Sequence, residues 1–420
     1  MDLETDSDPR RQIELAARSA YGRLLAWLVS RSGNIAAAED ALGDALLSAL
    51  SSWPGAGVPR NPEAWLLSVA RRRLIDQHRR QKTQDGAADE LIYRAQLQLH
   101  KEAAEAVDVP FRTHLPDRRL ELLFMCAHPD IPARMRTPLM LQTVLGLSAE
   151  AIAALMLLPP STVSKRLVRL KKSIAGRLAF ELPPQESFPR RLGYVLDAVY
   201  AAYGTGWDSA PDLGGASTGL AQEAFWLAGL LVRLMPTSAE AKGLYALLCF
   251  CESRRPARRS PDGAYVPLEE QDPDQWDQEL IEEGEKALWL AAQVKDAGTY
   301  QTEAAIHSVL AHRAKSGKLD WPAIHFTYRV LTRLTPSVGA QIGYAASFGR
   351  IGDPGGGLGI LDALDPKLVQ QHQPFWAVRA WLLAELEQTE AARHAYARAI
   401  GLCEDAAVRT WLIARQQTLG

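Results

Sequence analysis

The sequence predicts an all-α protein with two small helical domains, the second containing a helix-turn-helix, followed by a larger domain of helical pairs. Three observations support this prediction. Apolar residues recur every three or four positions through most of the chain, which is the spacing of one helix face. No segment shows the convincing alternation of apolar and polar residues that is typical of a strand. Breaks that contain proline and glycine separate the periodic segments.

The composition is that of a globular protein with two or three domains. The chain has 420 residues, of which 47% are hydrophobic and 23% are charged. Its four cysteines form neither a CxxC pair nor a zinc-binding spacing, so we expect no disulfide framework. The polar start of the chain lacks the pattern of a signal peptide, and no apolar run is long enough to span a membrane. These features predict a cytoplasmic protein.

Positive charge is concentrated in the first part of the chain. Residues 1–180 hold 25 Lys and Arg against 20 Asp and Glu, a net charge of +5, whereas residues 181–420 hold 22 against 29, a net charge of −7. The basic residues form two clusters, over 71–82 and over 165–177. Two basic clusters predict two contacts with a polyanion, and the acidic remainder predicts a different role.

Residues 9–80 are predicted to form the first helical domain. Apolar residues predict helices over 13–29 and 36–53, a loop follows over 54–59, and a third helix begins with Asn61 as its cap. Leu50 belongs to the predicted apolar side of the second helix, and acidic residues cluster on its other side. The charged residues are Glu39, Asp40 and Asp44 in the second helix and Arg71, Arg72 and Arg73 in the third.

Residues 81–114 are polar and predict a linker with one helix over 91–99, and residues 115–182 predict the second domain. Its helices lie over 117–127 and 133–143 and are followed by the helix-turn-helix. Ser148 is the expected cap of the first short helix, 149–156, which the Pro159-Pro160 pair ends. Ser161 or Thr162 is the expected cap of the second short helix.

The second helix of the helix-turn-helix combines a predicted buried stripe with a basic outer side. No acidic residue occurs over 161–177. Such a helix, entered through a tight turn, is typical of proteins that recognise duplex DNA. The pattern is loose, so a solvated basic face in an ordinary helical protein stays open as the alternative. The stripe consists of Val163, Leu167, Leu170 and Ile174.

Residues 186–420 are predicted to form helical pairs, partly of the tetratricopeptide pattern. Cys126, His128 and Asp130 match no standard metal site and are better explained by a helix end. The glycines of 355–357 are expected between helices and lack the lysine of a phosphate-binding loop. No catalytic constellation is present, so we expect no enzyme and no cofactor. The tetratricopeptide-like residues are Trp376, Leu383, Ala392, Tyr396 and Ala399.

Several of these segments, in their order along the chain, resemble the sigma-70 family. The resemblance is to its extracytoplasmic-function subgroup with a tetratricopeptide-like C-terminal extension of the DUF6596 type. AAAEDALGDALLSAL resembles the core-binding helix, NPEAWLLSVARRRLIDQHRR the promoter-melting helix, and residues 117–174 the fourth sigma domain. ESRRPARRSPDGAYVPLEEQD, GTYQTEAAIHS and QPFWAVRA resemble segments of the extension. Each motif is loose, but their order and spacing together are specific.

The resemblance implies a role for each domain. Residues 9–80 would be sigma region 2, which binds the polymerase core and recognises the −10 element, and residues 115–182 would be sigma region 4, which recognises the −35 element. Residues 186–420 would regulate activity. Implied contacts with core RNA polymerase are Glu39, Asp40 and Asp44. Implied contacts with DNA are Arg60, Asn61, Arg71, Arg72 and Arg73 in region 2 and Ser161, Thr162, Ser164, Lys165, Arg166, Arg169, Lys171 and Lys172 in region 4.

The predicted function is therefore that of a sigma factor that directs core RNA polymerase to promoters. Its partners would be the polymerase core, promoter DNA and a small YCII-like (DGPF-motif) protein or another regulator at the C-terminal domain. Two segments, 204–207 and 343–344, depart from the subgroup pattern, which usually has a turn with a Glu-Gly pair at the first and an Asn-Arg pair at the second. The alternative is a sigma-like scaffold that binds partners without initiating transcription.

Overall fold

The computed structural model describes residues 9–85, 117–175, 178, 183–208 and 216–419. Within these ranges every regular element is a helix, and the only β pairing is an isolated antiparallel bridge between Arg259 and Tyr265. The predicted all-α fold is confirmed. The chain forms two compact units, Met1–Ala224 and Phe225–Gly420, and each is described by itself. In the described residues no helix is both long and apolar enough to cross a membrane. The linker helix predicted over 91–99 lies outside the described residues.

Three helices begin the first unit, and the middle one packs on both others. The Asn61 side chain caps the third helix as predicted, because its Oδ1 accepts a hydrogen bond from the Ala64 N–H at 3.0 Å. The second helix is longer than predicted and includes Pro54, and it ends at Gly57, whose φ of 84° is accessible to glycine. The helices are α1 (Pro9–Ser32), α2 (Ile35–Ala56) and α3 (Pro62–Asp85).

Four short helices follow, and the last two form the predicted helix-turn-helix. Ser148 caps α6 as predicted, accepting from the Ala151 N–H at 3.2 Å. The prediction for α7 was wrong at its start: the helix begins at Pro160, because a proline at the first helical position lacks only an N–H that would be unpaired anyway. Leu157, at φ 52°, makes the turn. The helices are α4 (Arg118–Cys126), α5 (Ala133–Thr143), α6 (Ala149–Leu155) and α7 (Pro160–Ile174).

Helix α8 (Phe188–Asp208) packs on α4 and α5. The Phe188 ring stacks on Phe124 with centroids 4.4 Å apart, and Arg191 Nη1 donates to the Phe124 carbonyl at 2.8 Å. The first unit therefore continues past residue 182, where we expected the helix-turn-helix domain to end. The segment Gly204-Thr205-Gly206-Trp207, which departs from the turn of the subgroup pattern, is part of α8 in this chain.

The second unit consists of helices that pack on their neighbours in sequence. The prediction that the glycines of 355–357 lie between helices was wrong, because they are inside the helix that begins at Pro354. The helices are α9 (Ala216–Leu234), which crosses the division between the units, α10 (Ala239–Ser253), α11 (Gln278–Gln293), α12 (Thr299–Ala311), α13 (Arg313–Ser316), α14 (Trp321–Leu334), α15 (Val338–Arg350), α16 (Pro354–Asp362), α17 (Pro366–Val369), α18 (Gln373–Glu385), α19 (Thr389–Leu402) and α20 (Ala406–Gln417).

The tetratricopeptide-like residues of the sequence lie together in one core cluster. Leu383, Ala392, Tyr396 and Ala399 are buried, and Trp376 packs against them. Cys126 and His128, which lie close together in the sequence, have structural roles. Cys126 ends α4 and is buried, and His128 Nδ1 accepts from the Asp130 N–H at 3.1 Å. In the part of the chain that the structure describes, no group of three His, Cys, Asp or Glu side chains could hold a metal ion.

Helix α10 approaches the start of α12 so closely that only glycine fits at the contact. A Cβ added at Gly243 would lie 2.5 Å from the Gln301 nitrogen and 2.7 Å from its Cα. The Glu240 carboxylate accepts from the N–H groups of Tyr300 and Gln301, each at 3.0 Å. A side chain of α10 thus satisfies the first donors of α12, which has no side-chain cap of its own.

We expect Gly243→Ala to destabilise the second unit by about 1–3 kcal/mol, because the added methyl group pushes two backbones apart. Gly359→Ala is the matched control: this glycine is exposed in α16, and a Cβ there meets nothing within 4 Å. The control should stabilise by about 0.5–1 kcal/mol through the better helix propensity of alanine. Urea unfolding followed by circular dichroism measures both. Equal midpoints for the two variants would contradict the close approach.

Candidate nucleic-acid interface

The outer face of α7 carries six of the eight DNA-binding residues that were predicted in this helix. Its four stripe residues are buried, as predicted. Because an α-helix turns by about 100° per residue, the face opposite this stripe is centred on Lys165 and Lys172. Thr162, at one edge, is half-buried. The exposed residues of α7 are Pro160, Ser161, Ser164, Lys165, Arg166, Val168, Arg169, Lys172 and Ser173, and none of them is acidic.

Lys171 does not share this face. Its ammonium donates to both Glu39 carboxylate oxygens, at 2.6 and 2.7 Å, and to Gln142 Oε1 at 2.7 Å. The two side chains are 11% and 18% exposed, and Thr143 Oγ1 adds a long contact of 3.4 Å to the same carboxylate. A predicted phosphate contact and a predicted polymerase contact therefore bind each other in this structure. This ion pair joins α2 to α7, and its two residues are 132 positions apart in the sequence.

The outer side of α2 is both acidic and apolar. Asp40 is exposed and Asp44 is half-buried. Beside them Leu47 and Leu50 leave 65% and 46% of their surface exposed. The prediction that Leu50 is buried was wrong. Alanines fill the contacts with α1 and α3 instead, since small side chains let the three helices approach closely. An exposed apolar pair beside carboxylates is typical of a protein-binding surface.

The arginines of α3 form the second basic surface. Arg60, Arg72 and Arg73 are exposed, and Arg71 is half-buried. Arg71 lies near Arg31 of α1: burial lowers the pKa of Arg31, and the positive charges of Arg118 and Arg71 lower it further. Concentrated positive charge of this kind attracts a polyanion. Arg31 and Arg118 lie outside the two basic clusters of the sequence, so those clusters did not indicate them.

Asn61 and Trp65, at the start of α3, have structural roles. Asn61 is exposed, but its side-chain oxygen is used by the helix cap. The Trp65 ring packs edge-on against buried Trp53, with centroids 5.5 Å apart and an interplanar angle of 69°. Trp65 is therefore part of the packing between α2 and α3, and the arginines are the basic groups of this surface.

Comparisons with known proteins identify the first three helices. Residues 17–84 match the family model described as Sigma-70 region 2. A protein of Rhizobium meliloti (strain 1021), itself described as uncharacterized, is 32% identical over 401 residues, which cover 95% of this chain and 94% of the relative. The chain belongs to the sigma-70 family. Residues 191–292 match a family of unknown function, DUF6596, as a C-terminal extension. No solved structure matches.

A sigma factor binds core RNA polymerase and promoter DNA and directs the start of transcription. In this sigma factor the region 2 match covers the last two thirds of α1, all of α2 and nearly all of α3. The extension match begins inside α8, in the first compact unit, and ends within α11. Helices α6 and α7 lie between the two matches, so their assignment to region 4 stays a prediction that depends on the geometry of α7.

The geometry distinguishes two neighbouring lysines. We expect Lys172→Ala to reduce the slope of log affinity against log salt for promoter DNA by about one, because one phosphate contact is lost. Lys286→Ala is the control, since Lys286 is exposed on α11 in the second unit. Fluorescence anisotropy of the holoenzyme on labelled promoter DNA at several salt concentrations measures the slope. A slope unchanged by Lys172→Ala would show that this face of α7 is not part of the DNA interface.

Proposed function

We propose that this sigma factor is of the extracytoplasmic-function type and acts in the cytoplasm. In this proposal α2 binds the polymerase core, the arginines of α3 hold the −10 strand, and α7 contacts the −35 element. The observation that carries the proposal is the exposed side of α7. It has nine exposed residues and no acid, opposite a buried stripe, in a chain with a sigma region 2. Side chains at the start of such a helix are positioned for base edges and later ones for phosphates.

The test is transcription with purified core RNA polymerase from the organism that carries the gene. The holoenzyme should select promoter fragments from genomic DNA and give run-off transcripts from them. Arg166→Ala should weaken promoter binding by about tenfold, which corresponds to the loss of one good base contact. Core binding without any transcript from selected fragments would favour the alternative, a sigma-like scaffold.

The exposed leucines of α2 add an apolar part to the acidic surface that is proposed to bind the polymerase core. Carboxylates set the orientation and the association rate of a complex, whereas buried apolar contacts supply more of its affinity. We infer that Leu47 and Leu50 are covered when the core binds, beside Asp40 and Asp44. The surface then resembles other interfaces, with an apolar centre and a charged rim.

We expect Leu47→Ala with Leu50→Ala to weaken core binding by about tenfold or more. Both side chains are largely exposed, so the unfolding midpoint should change little. Leu290→Ala is the control, because Leu290 is also partly exposed but lies on α11 of the second unit. Anisotropy of labelled sigma factor titrated with core measures the affinity. Core binding that is insensitive to the double change would exclude this face of α2 from the interface.

The Glu39–Lys171 ion pair implies a closed form of the free protein. In this pair Glu39, a predicted polymerase contact, binds Lys171, a predicted phosphate contact. We propose that core binding separates the pair and frees both groups. If only a fraction of the molecules is in the state that can bind, the apparent affinity falls below the intrinsic affinity in proportion to that fraction. Removing the closing contact should therefore strengthen binding.

Lys171→Met removes the charge and keeps the apolar stem, and we expect it to tighten core binding by about threefold to tenfold. Lys172→Met is the matched control, since that neighbouring lysine is exposed on the outer face. Hydrogen exchange of α2 and α7 in the free protein should also increase in Lys171→Met alone. Unchanged affinity and unchanged exchange would show that the closed contact does not limit core binding.

We propose that the helical-pair extension regulates the sigma domains. The resemblance to tetratricopeptide-extended relatives and the DUF6596 match support an interaction role, and a small YCII-like protein is the proposed regulator. Titration of a purified YCII-like protein encoded beside the gene into the transcription reaction tests it. Transcription that stays constant, with no complex formed, would rule out this partner.

A further inference from the structure

The helical pairs of the second unit surround a cavity of about 580 Å³. Its walls come from α12, α14, α15, α18, α19 and α20, and from the connection between α10 and α11. The volume lies within the range of about 300–1,000 Å³ that is usual for small-molecule sites. Much of the wall is apolar, including Ile306, Leu310, Ile324 and Val378, and aromatic rings complete it. Such a wall favours a ligand with an apolar body.

One arginine is fixed in this wall by two tryptophans. The Arg350 guanidinium carbon lies 4.3 Å from the centre of the Trp381 ring and 5.5 Å from that of Trp321. Cation–π contacts of this kind orient the planar guanidinium without using its N–H donors. The Arg350 guanidinium therefore occupies the position beside the two rings where a cationic ligand would bind. A ligand can instead accept hydrogen bonds from the N–H groups of this guanidinium.

The present partner of Arg350 is a partly exposed carboxylate. Arg350 Nη2 lies 2.6 Å from one oxygen of Glu269, and the two side chains are each 36% exposed. Burial raises the pKa of Glu269, and the positive charge of Arg350 only partly opposes this. The other lining carboxylate, Glu385, is engaged by the Trp381 Nε1 hydrogen at 2.9 Å. A carboxylate from outside can thus replace Glu269 on the guanidinium.

A tyrosine side chain adds a polar group to the wall of the cavity. The Tyr328 ring packs closely on Gly343, where an added Cβ would lie 2.5 Å from the ring. Burial raises the pKa of Tyr328 to about 12, so the hydroxyl keeps its proton and is a donor.

We propose that this cavity binds a small organic carboxylate with a flat or extended apolar body. The carboxylate would pair with Arg350 in place of Glu269, and the body would lie among the tryptophans and the aliphatic wall. A second ion pair of the same connection, Glu270 with Arg415 at 3.0 Å, holds the segment next to the site. The exchange leaves Glu269 free to turn to solvent.

The experiment is isothermal titration of the full-length protein with indoleacetate, naphthoate, cinnamate and decanoate, and with tryptamine as the cation that shares the indole ring. At least one carboxylate should bind saturably and more tightly than tryptamine. Arg350→Gln should weaken that binding by about tenfold or more, because a charged hydrogen-bond donor is lost. Arg333→Gln, an exposed arginine of α14 outside the cavity, should not change it.

Two further variants separate ligand binding from a structural role. Glu269→Gln removes the competing carboxylate and should tighten binding by about threefold or more, which loss of structure would not do. Ala346→Phe fills the cavity from α15 and should abolish binding while Arg350 stays in place. The proposal is overturned if no carboxylate binds, if tryptamine binds at least as tightly, or if Arg350→Gln or Glu269→Gln leaves the affinity unchanged.

Discussion

The buried apolar stripe of α7 is the constraint on which the proposed DNA-binding face of this sigma factor depends. Once the stripe lies in the core, the rotation of the helix is fixed, and sequence position decides whether a side chain meets solvent or another helix. Lys171 and Lys172 illustrate this. They are adjacent and chemically identical, but they point about 100° apart. One is exposed on the outer face, and the other is bound to Glu39.

The contact between Glu39 and Lys171 combines two properties that suit a reversible closure. Both groups are largely withdrawn from water, so their attraction is stronger than that of an exposed pair. Leaving either group there alone would be costly, because it would be desolvated without a partner. In the proposed function, polymerase would offer a positive partner to Glu39 and DNA a negative partner to Lys171. Exchange of one charged partner for another keeps each group paired throughout.

The second unit uses charge differently. The basic face of α7 is open and faces solvent, where salt screens its interactions. Arg350, in contrast, is stacked between two tryptophans at the edge of a cavity, so its donors are oriented toward a limited space. Close backbone contact at Gly243 and a ring packed on Gly343 show how small residues allow the helices and side chains of this unit to approach each other. We therefore propose one site for a polymer in the first unit and one for a small molecule in the second.

The sequence by itself determined the all-α class, most helix positions, the stripe of α7 and the cap at Asn61. Periodicity and capping are local properties, so neighbouring residues are enough to specify them. Only the tertiary structure decided that Glu39 binds a lysine 132 residues away, and that residues from 268 to 419 share one cavity. It also decided that Leu50 is exposed. Helix α2 is apolar on several sides because of its alanines, so its own sequence pattern does not determine which side is buried. The packing of α1 and α3 against it selects that side.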